Sequence, residues 1–383
     1  MIDEMIDHFV TAAQSTSAIS ILMTGDLVLD VDGAEHWLAG IAPALRVADV
    51  TVGHLEVPHT RRGKELQGDV PAPGADPAAL AALSAAGFTA VTLAGNHIAD
   101  CGGEGIEDTV AELDRLGLAH TGAGADLARA CAAALIESHG RTIAVLSYNC
   151  VGPEAGWATP TRAGCAYLRV ATADGSPVAP AGPLTQPTAD ALLQLQADIA
   201  DARLHAELVL VALHKGIVHT PATLASYERP IAHAAIDAGA DIVIGHHAHI
   251  LRGIEFYRGK PIYHGLGNGC VVTRALSPDQ DHPARAAWAL RRRQLFGFEP
   301  DPAYTLAPFH PEAVNAMLGR VLWHPDGRLE AGFVPVHVEP PGRPVLADAA
   351  QSARVVHYVE RITRQAGLPE ITLSQRADWV VVQ

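Results

Sequence analysis

The chain has 383 residues, of which 49% are hydrophobic, and a formal net charge of −15. That length and apolar content suit one large α/β domain or two small ones and argue against wholesale disorder. With 27 Lys+Arg and no long basic run, a nucleic-acid groove is not expected, and the acidic excess bears mainly on solubility.

Residues 1–18 read as a short polar helix or a frayed arm. They lack a basic start and a continuous apolar stretch, so no secretory signal is expected. No apolar run reaches the ~18 residues that span a bilayer, so no membrane partner is expected. The five cysteines form no C-x-x-C pair, which points to a reduced, cytoplasmic protein. From residue 19 to about 271, apolar runs alternate with Ala- and Leu-rich amphipathic stretches. Helices are expected at Glu35–Ala48, Pro77–Ala86 with Asp76 as cap, Glu104–Leu116, Thr188–His205 and Thr223–Ala238. Pro230 predicts a kink or a split in the last of these. The segment Ala171–Pro187 reads as a connection and not as a strand. Residues 272–319 break the alternation and read as an insertion, either an active-site lid or an oligomer contact. The run Arg291–Arg292–Arg293 within it is either a solvated face or an anion-binding element. Residues 320–338 read as a hairpin turning at His324–Gly327, residues 348–366 as a closing helix, and Trp379–Val382 as a strand. The organisation expected is therefore a core at 19–271, an insertion or lid at 272–319, and a C-terminal hairpin and helix at 320–383 that completes the same domain.

Five apolar runs end on polar residues. ISILMTGD ends at Asp26, VADVTVGHLE at Glu56, FTAVTLAGNH at Asn96 and His97, ELVLVALH at His214, and ADIVIGHHAH at His247 and His249. Ligands of α/β sheets gather outside the carboxyl ends of strands. A lone histidine is more often a hydrogen-bonded structural residue than a ligand. His-x-His is stronger, because residues two apart in a strand point the same way. The whole mixed O/N donor set suits two divalent transition metals, Mn, Fe or Zn, better than Ca or Mg. Asp26 and His249 are assigned to the first metal, Asn96, His214 and His247 to the second, and Glu56 to a bridge between them. His97 is either a ligand or a general acid. Asp100 could accept the other ring N–H of His97 and could also cap the following helix, and the two roles do not exclude each other. His54, His219, His246 and His264 stand close to expected ligands and are candidates for substrate contact or for supporting the ligands. Lys215 points away if its strand persists, and at a loop it could bind an anion. Asn268 follows a strand and a glycine and could cap the site floor.

These motifs resemble the bacterial capsule-synthesis CapA (poly-γ-glutamate synthesis) family of the metallophosphatase-like superfamily. The matching pieces are GDLVLD (25–30), GHLEVP (53–58), AGNHIADCGGEGIEDTVAELDRLGLAHTGAG (94–124), HKG (214–216), AGADIVIGHHAHILRGIE (238–255) and GKPIYHGLGN (259–268). The resemblance implies a four-layer α/β/β/α sandwich with the metals at one edge, and it favours a catalytic role for His97. Where the family usually has Asn-Leu-Glu, Asn-Asn-His, His-Trp-Gly, His-Pro-His and Gly-Asn-Phe, this chain has His54–Leu55–Glu56, Gly95–Asn96–His97, His214–Lys215–Gly216, His247–Ala248–His249 and Gly267–Asn268–Gly269. The family's Glu-Tyr after the third motif is Val218–His219 here. Every expected ligand is retained, and the changes fall on pocket neighbours.

The function expected is a dinuclear metal-dependent hydrolase that cleaves a phosphoester or amide bond, including a γ-glutamyl-like one, through a metal-bridging hydroxide. His97 then supplies the leaving group's proton. Its partner would be a small anionic substrate, and a homo-oligomer is compatible with the sequence. The competing reading is a non-hydrolytic assembly protein for capsule or poly-γ-glutamate that shares the fold.

Overall fold

Strand β1 (Ile19–Asp30) changes partners halfway along its length. Its first half, Ile19–Met23, pairs antiparallel with β12 (Asn315–Trp323), and its second half, Asp26–Asp30, pairs parallel with β11 (Asn268–Thr273). The computed structural model describes residues 17–63, 74–274, 301–306 and 310–383, with isolated positions between 283 and 298. On its other side β1 runs parallel to β2 (Val50–Leu55), followed by β3 (Ala90–Thr92) and β4 (Ala119–Thr121). β12 continues the sheet through β13 (Leu329–Glu339), with β14 (Arg343–Leu346), β15 (Leu373–Arg376) and β16 (Trp379–Val382) beyond it.

A second sheet has the order β9 (Ile254–Tyr257), β10 (Lys260–Tyr263), β8 (Ile242–His246), β7 (Leu208–His214), β6 (Arg141–Asn149) and β5 (Ala134–Ser138). The period of two along β1 turns Ile19, Ile21 and Met23 toward this second sheet. There they form one cluster with Val52, Val145, Leu210 and Ile244. Helices cover the outer faces. α1 (Ala34–Leu38), α2 (Ala42–Leu45), α3 (Ala81–Ala86) and α4 (Gly102–Leu116) lie outside the first sheet, and Leu38, Leu83 and Leu113 pack with Leu22, Leu55 and Val91. Beyond α5 (Leu127–Cys131), α6 (Ala189–Arg203) and α7 (Glu228–Asp237) cover the second sheet, where Leu195 and Ile231 pack with Leu146 and Val211. The layers are α/β/β/α, as the resemblance implies. α8 (Ala349–Gln365) opens on a capping box at Asp348 and inserts Val355, Val359 and Ile362 into the inter-sheet core.

Several local expectations need correction. The stretch 35–48 forms two short helices, because Pro43 starts a new one and Gly40 packs where any Cβ would lie 2.3 Å from the Pro344 carbonyl oxygen. The helix expected at 223–238 begins only at Glu228, so Pro230 falls in its first turn, where its missing N–H costs nothing, and no kink is needed. The stretch 171–187 contains two paired strands, Val170–Thr172 and Leu184–Pro187. In the break expected at 272–319, β11 runs on to Thr273 and β12 begins at Asn315. Much of the segment between them, including Arg292 and Arg293, lies outside the described residues, as does 1–16.

Candidate metal centre

Strand register places the first row of polar residues. Asn268 pairs with Asp26, Asp26 with His54, and His54 with Thr92, across β11, β1, β2 and β3. In-register residues of neighbouring parallel strands share a face, about 4.8 Å apart. Gly25 makes the junction possible: a Cβ there would lie 1.9 Å from the Gly267 carbonyl oxygen. That same oxygen accepts the Asp26 N–H at 2.9 Å and fixes the turn that presents the carboxylate. The second sheet contributes a row of its own, Asn149, His214 and His246, at the ends of β6, β7 and β8.

The two rows meet at a buried cluster. Asp26 and Glu56 are 0% and 1% exposed, and His54 and His214 are 0% and 1% exposed. Ligand-type atoms of Asp26, His54 and His214 lie within 4.8 Å of one another, as do those of Asp26, Glu56 and His249. The His54 and His214 rings stand 4.7 Å apart, and His214 and His247 4.9 Å apart. Asn96 Oδ1 lies 2.6 Å from His214 Nε2. The strand assumption behind His-x-His is corrected: β8 stops at His246, and His247 and His249 have φ of 87° and 52°. These left-handed conformations are uncommon for residues with a Cβ and cluster at functional sites. The turn sends the two rings different ways. The His247 N–H donates to Asp26 Oδ2 at 3.2 Å. His249 sets Nε2 3.2 Å from Glu56 Oε1 and Nδ1 3.0 Å from Asn268 Oδ1. Asn268 thus orients a ring of the cluster.

His97 stands at the rim and donates Nδ1–H to Asp100 Oδ2 at 2.7 Å. Helix α4 begins at Gly102, and its cap residue, Cys101, makes no side-chain cap bond. Asp100 thus orients the His97 ring. His219 lies near the rim, its ring 6.0 Å from His249 and 5.3 Å from the edge-on Phe298. His246 lies behind the cluster, stacked on His54 at 4.5 Å, with Nε2 3.2 Å from the Thr24 carbonyl oxygen.

Lys215 points away from the cluster, as expected where its strand persists to His214. It is fully buried, and its ammonium binds Glu228 at 2.9 Å and the His264 carbonyl oxygen at 3.2 Å. His264 joins the same network, with Nε2 2.9 Å from Glu255. Arg252, also fully buried, closes it through Glu228 at 3.1 Å and the Ile217 carbonyl oxygen at 3.2 Å. The sequence reading missed Glu228 and Arg252. Glu228 lies in a segment read only for its helical pattern, and Arg252 lies in the matched stretch 238–255 without being singled out.

The electrostatics are those of a cation site. Burial pushes the Asp26 carboxyl well above its usual range, and Glu56 beside it adds to the shift. Burial acts upward on Glu56 too, but the His249 imidazole outweighs it and holds that carboxyl down at about 2. Burial acts downward on His249, yet Glu56 and Asp26 raise it to about 9. Burial drives His54 and His214 well below the usual imidazole range, so both are neutral, the form that binds metal. Among the described residues, neither Glu56 oxygen accepts a well-formed hydrogen bond, and His54 Nε2 and His214 Nδ1 have no partner. Among the described residues, only His249 forms an ion pair with the two carboxylates. Buried charges need pairing or a metal, and this mixed O/N donor set fits divalent transition metals.

A family model described as "Bacterial capsule synthesis protein PGA_cap" matches residues 3–271. The chain is 29% identical over 259 residues to the PGA biosynthesis protein CapA of Bacillus subtilis (strain 168), covering 66% of this chain. It is 33% identical over 251 residues to a "Probable polyglutamine synthesis accessory protein" of Mycobacterium tuberculosis (strain ATCC 25618 / H37Rv), covering 64% of this chain. The match spans 62% of the length of each of these relatives. Among solved structures, the calcineurin-like phosphoesterase YfkN from Bacillus subtilis aligns over 92% of this chain and 97% of that one, at 12% identity and a TM-score of 0.38.

Proposed function

The chain belongs to the bacterial capsule synthesis PGA_cap family, and on that footing we propose that it is a dinuclear metal-dependent hydrolase of a small anionic substrate. The observation that carries this reading is the pair of buried carboxylates, Asp26 and Glu56, ringed by imidazoles, with no Lys or Arg bridged to either among the described residues. Asp26, Glu56 and His249 would hold one metal, and Glu56, Asn96, His214 and His247 the other. Two divalent metals there supply Lewis-acid polarisation of the scissile group and an activated water as nucleophile. The protein's own residues do the rest. Asn268 aims His249. Asp100 fixes the tautomer of His97 through Nδ1, so His97 delivers a proton from Nε2 to the leaving oxygen or nitrogen. Phosphoester and amide bonds are both within reach of this chemistry, γ-glutamyl amides included.

A screen of phosphoesters and amides with the metal-loaded protein tests the proposal. Turnover that a chelator abolishes and added Mn, Fe or Zn restores is expected. A metal-loaded protein inert across both panels would favour the second reading, a non-hydrolytic assembly factor. That reading draws its support from the name of the mycobacterial relative, an accessory protein.

A further inference from the structure

His54 stands where the neighbouring pattern offers no use for a merely packed imidazole. It sits in register between Asp26 and Thr92, on the face that carries the Asp26 carboxylate. It is 0% exposed. Its Nδ1 lies 2.9 Å from Thr92 Oγ1, and that hydroxyl donates onward to the Gly53 carbonyl oxygen at 3.4 Å. A hydroxyl whose proton is committed accepts from Nδ1–H. The tautomer then leaves the lone pair on Nε2, the atom that has no partner among the described residues. One ring nitrogen of His54 lies within 4.8 Å of ligand-type atoms of Asp26 and His214.

The backbone opposite is shaped for it. A Cβ at Gly95 would lie 2.9 Å from His54 Nε2 and 3.4 Å from His214 Nδ1. Any side chain at 95 would therefore occupy the space between the two imidazoles. The glycine at 95 thus leaves open the wall that faces His54 Nε2.

We propose that His54 is a further metal ligand, donating Nε2 beside Asp26 and His214. It adds an imidazole beside the Asp26 carboxylate and the His214 imidazole. An added nitrogen ligand favours zinc over manganese, because imidazole suits Zn while carboxylate and carbonyl oxygens suit Mn. Thr92 is then a positioning residue that fixes the ligand tautomer. The proposal rests on the metal reading given under the proposed function.

The test measures Zn2+ and Mn2+ affinity by chelator competition on the wild type, H54N, H54A, G95N and T92V. The thermal midpoint of each metal-free protein reports its folding. H54N, H54A and G95N are expected to lose Zn2+ affinity at one site by tenfold or more, with a smaller loss for Mn2+. T92V is expected to lose about 10-fold to 100-fold, as for other residues that orient a ligand from behind. Nuclear magnetic resonance of histidine-labelled wild type loaded with cadmium needs no variant. Coupling at His54 Nε2 in addition to His214, His247 and His249 is expected, and no coupling at His54 overturns the assignment. Zn2+ affinity of folded H54A within twofold of a loaded wild type would overturn it too, while leaving the metal reading intact. A wild type that takes up no metal overturns both.

Discussion

His97 and His249 are two imidazoles of one neighbourhood with different neighbours. His97 is held by Asp100 at the rim, whereas His249 reaches Glu56 in the buried cluster. His97→Ala should therefore keep most bound metal and lose turnover, and His249→Ala should lose metal. Elemental analysis beside single-turnover kinetics checks this. Equal metal loss in both would show that His97 is a ligand and not the acid. At this scale the residues that meet at the cluster were legible in the sequence, because each stands at or just past the end of an apolar run. Their directions were not. His247 and His249 reach the cluster through left-handed turns that no strand periodicity describes. Lys215, next to His214, faces a buried carboxylate that lies thirteen positions along the chain, and adjacency in sequence carries no sign of that.

At the element scale, a buried charge network underlies the turn that follows His214. The loop after β7 is clamped from below by Glu228, at the start of α7, together with Lys215 and Arg252, all 0% exposed. Burial acts to raise the Glu228 carboxyl, but Lys215 and Arg252 outweigh it and hold it down at about 2. Removing one partner of a buried charge cluster leaves the others uncompensated, at about 3–5 kcal/mol. Glu228→Gln should lower unfolding stability by roughly that amount near neutral pH, as read by urea denaturation. The sign of the pH effect follows. A depressed carboxyl contributes stability above its unfolded value of 4.5, and that contribution is lost as pH falls toward 2. The gap between wild type and Glu228→Gln should therefore narrow across that window. A constant gap would mean that the glutamate acts through packing and not charge. Strands, the D-G hairpin and the Asp348-capped helix were readable from pattern, since each depends on local periodicity or turn chemistry. The two short helices at 34–45 were not, because their break answers to Pro344 on a distant strand.

Across the whole molecule, two sheets bring their carboxyl ends together, and the site needs both. Sequence order alone could place ligands at strand ends, but the pairing of β1 with β11 and β12 decides that Asp26 stands beside Asn268. Phe298 touches His219 and packs with Val28, Val57 and Val271 at this edge. We propose that the segment between β11 and β12 sets substrate choice and not the chemistry. A shortened connection that preserves both strands should still bind metal and cleave a small activated ester, while KM for the natural substrate rises. Unchanged kinetics, or loss of metal, would count against that role.

The central claim is a two-metal centre built from Asp26, Glu56, Asn96, His214, His247 and His249. Elemental analysis of the purified chain after reconstitution with Mn, Fe or Zn and removal of loose ions tests it most directly. The account predicts two metal ions per chain, and less than one per chain would contradict it.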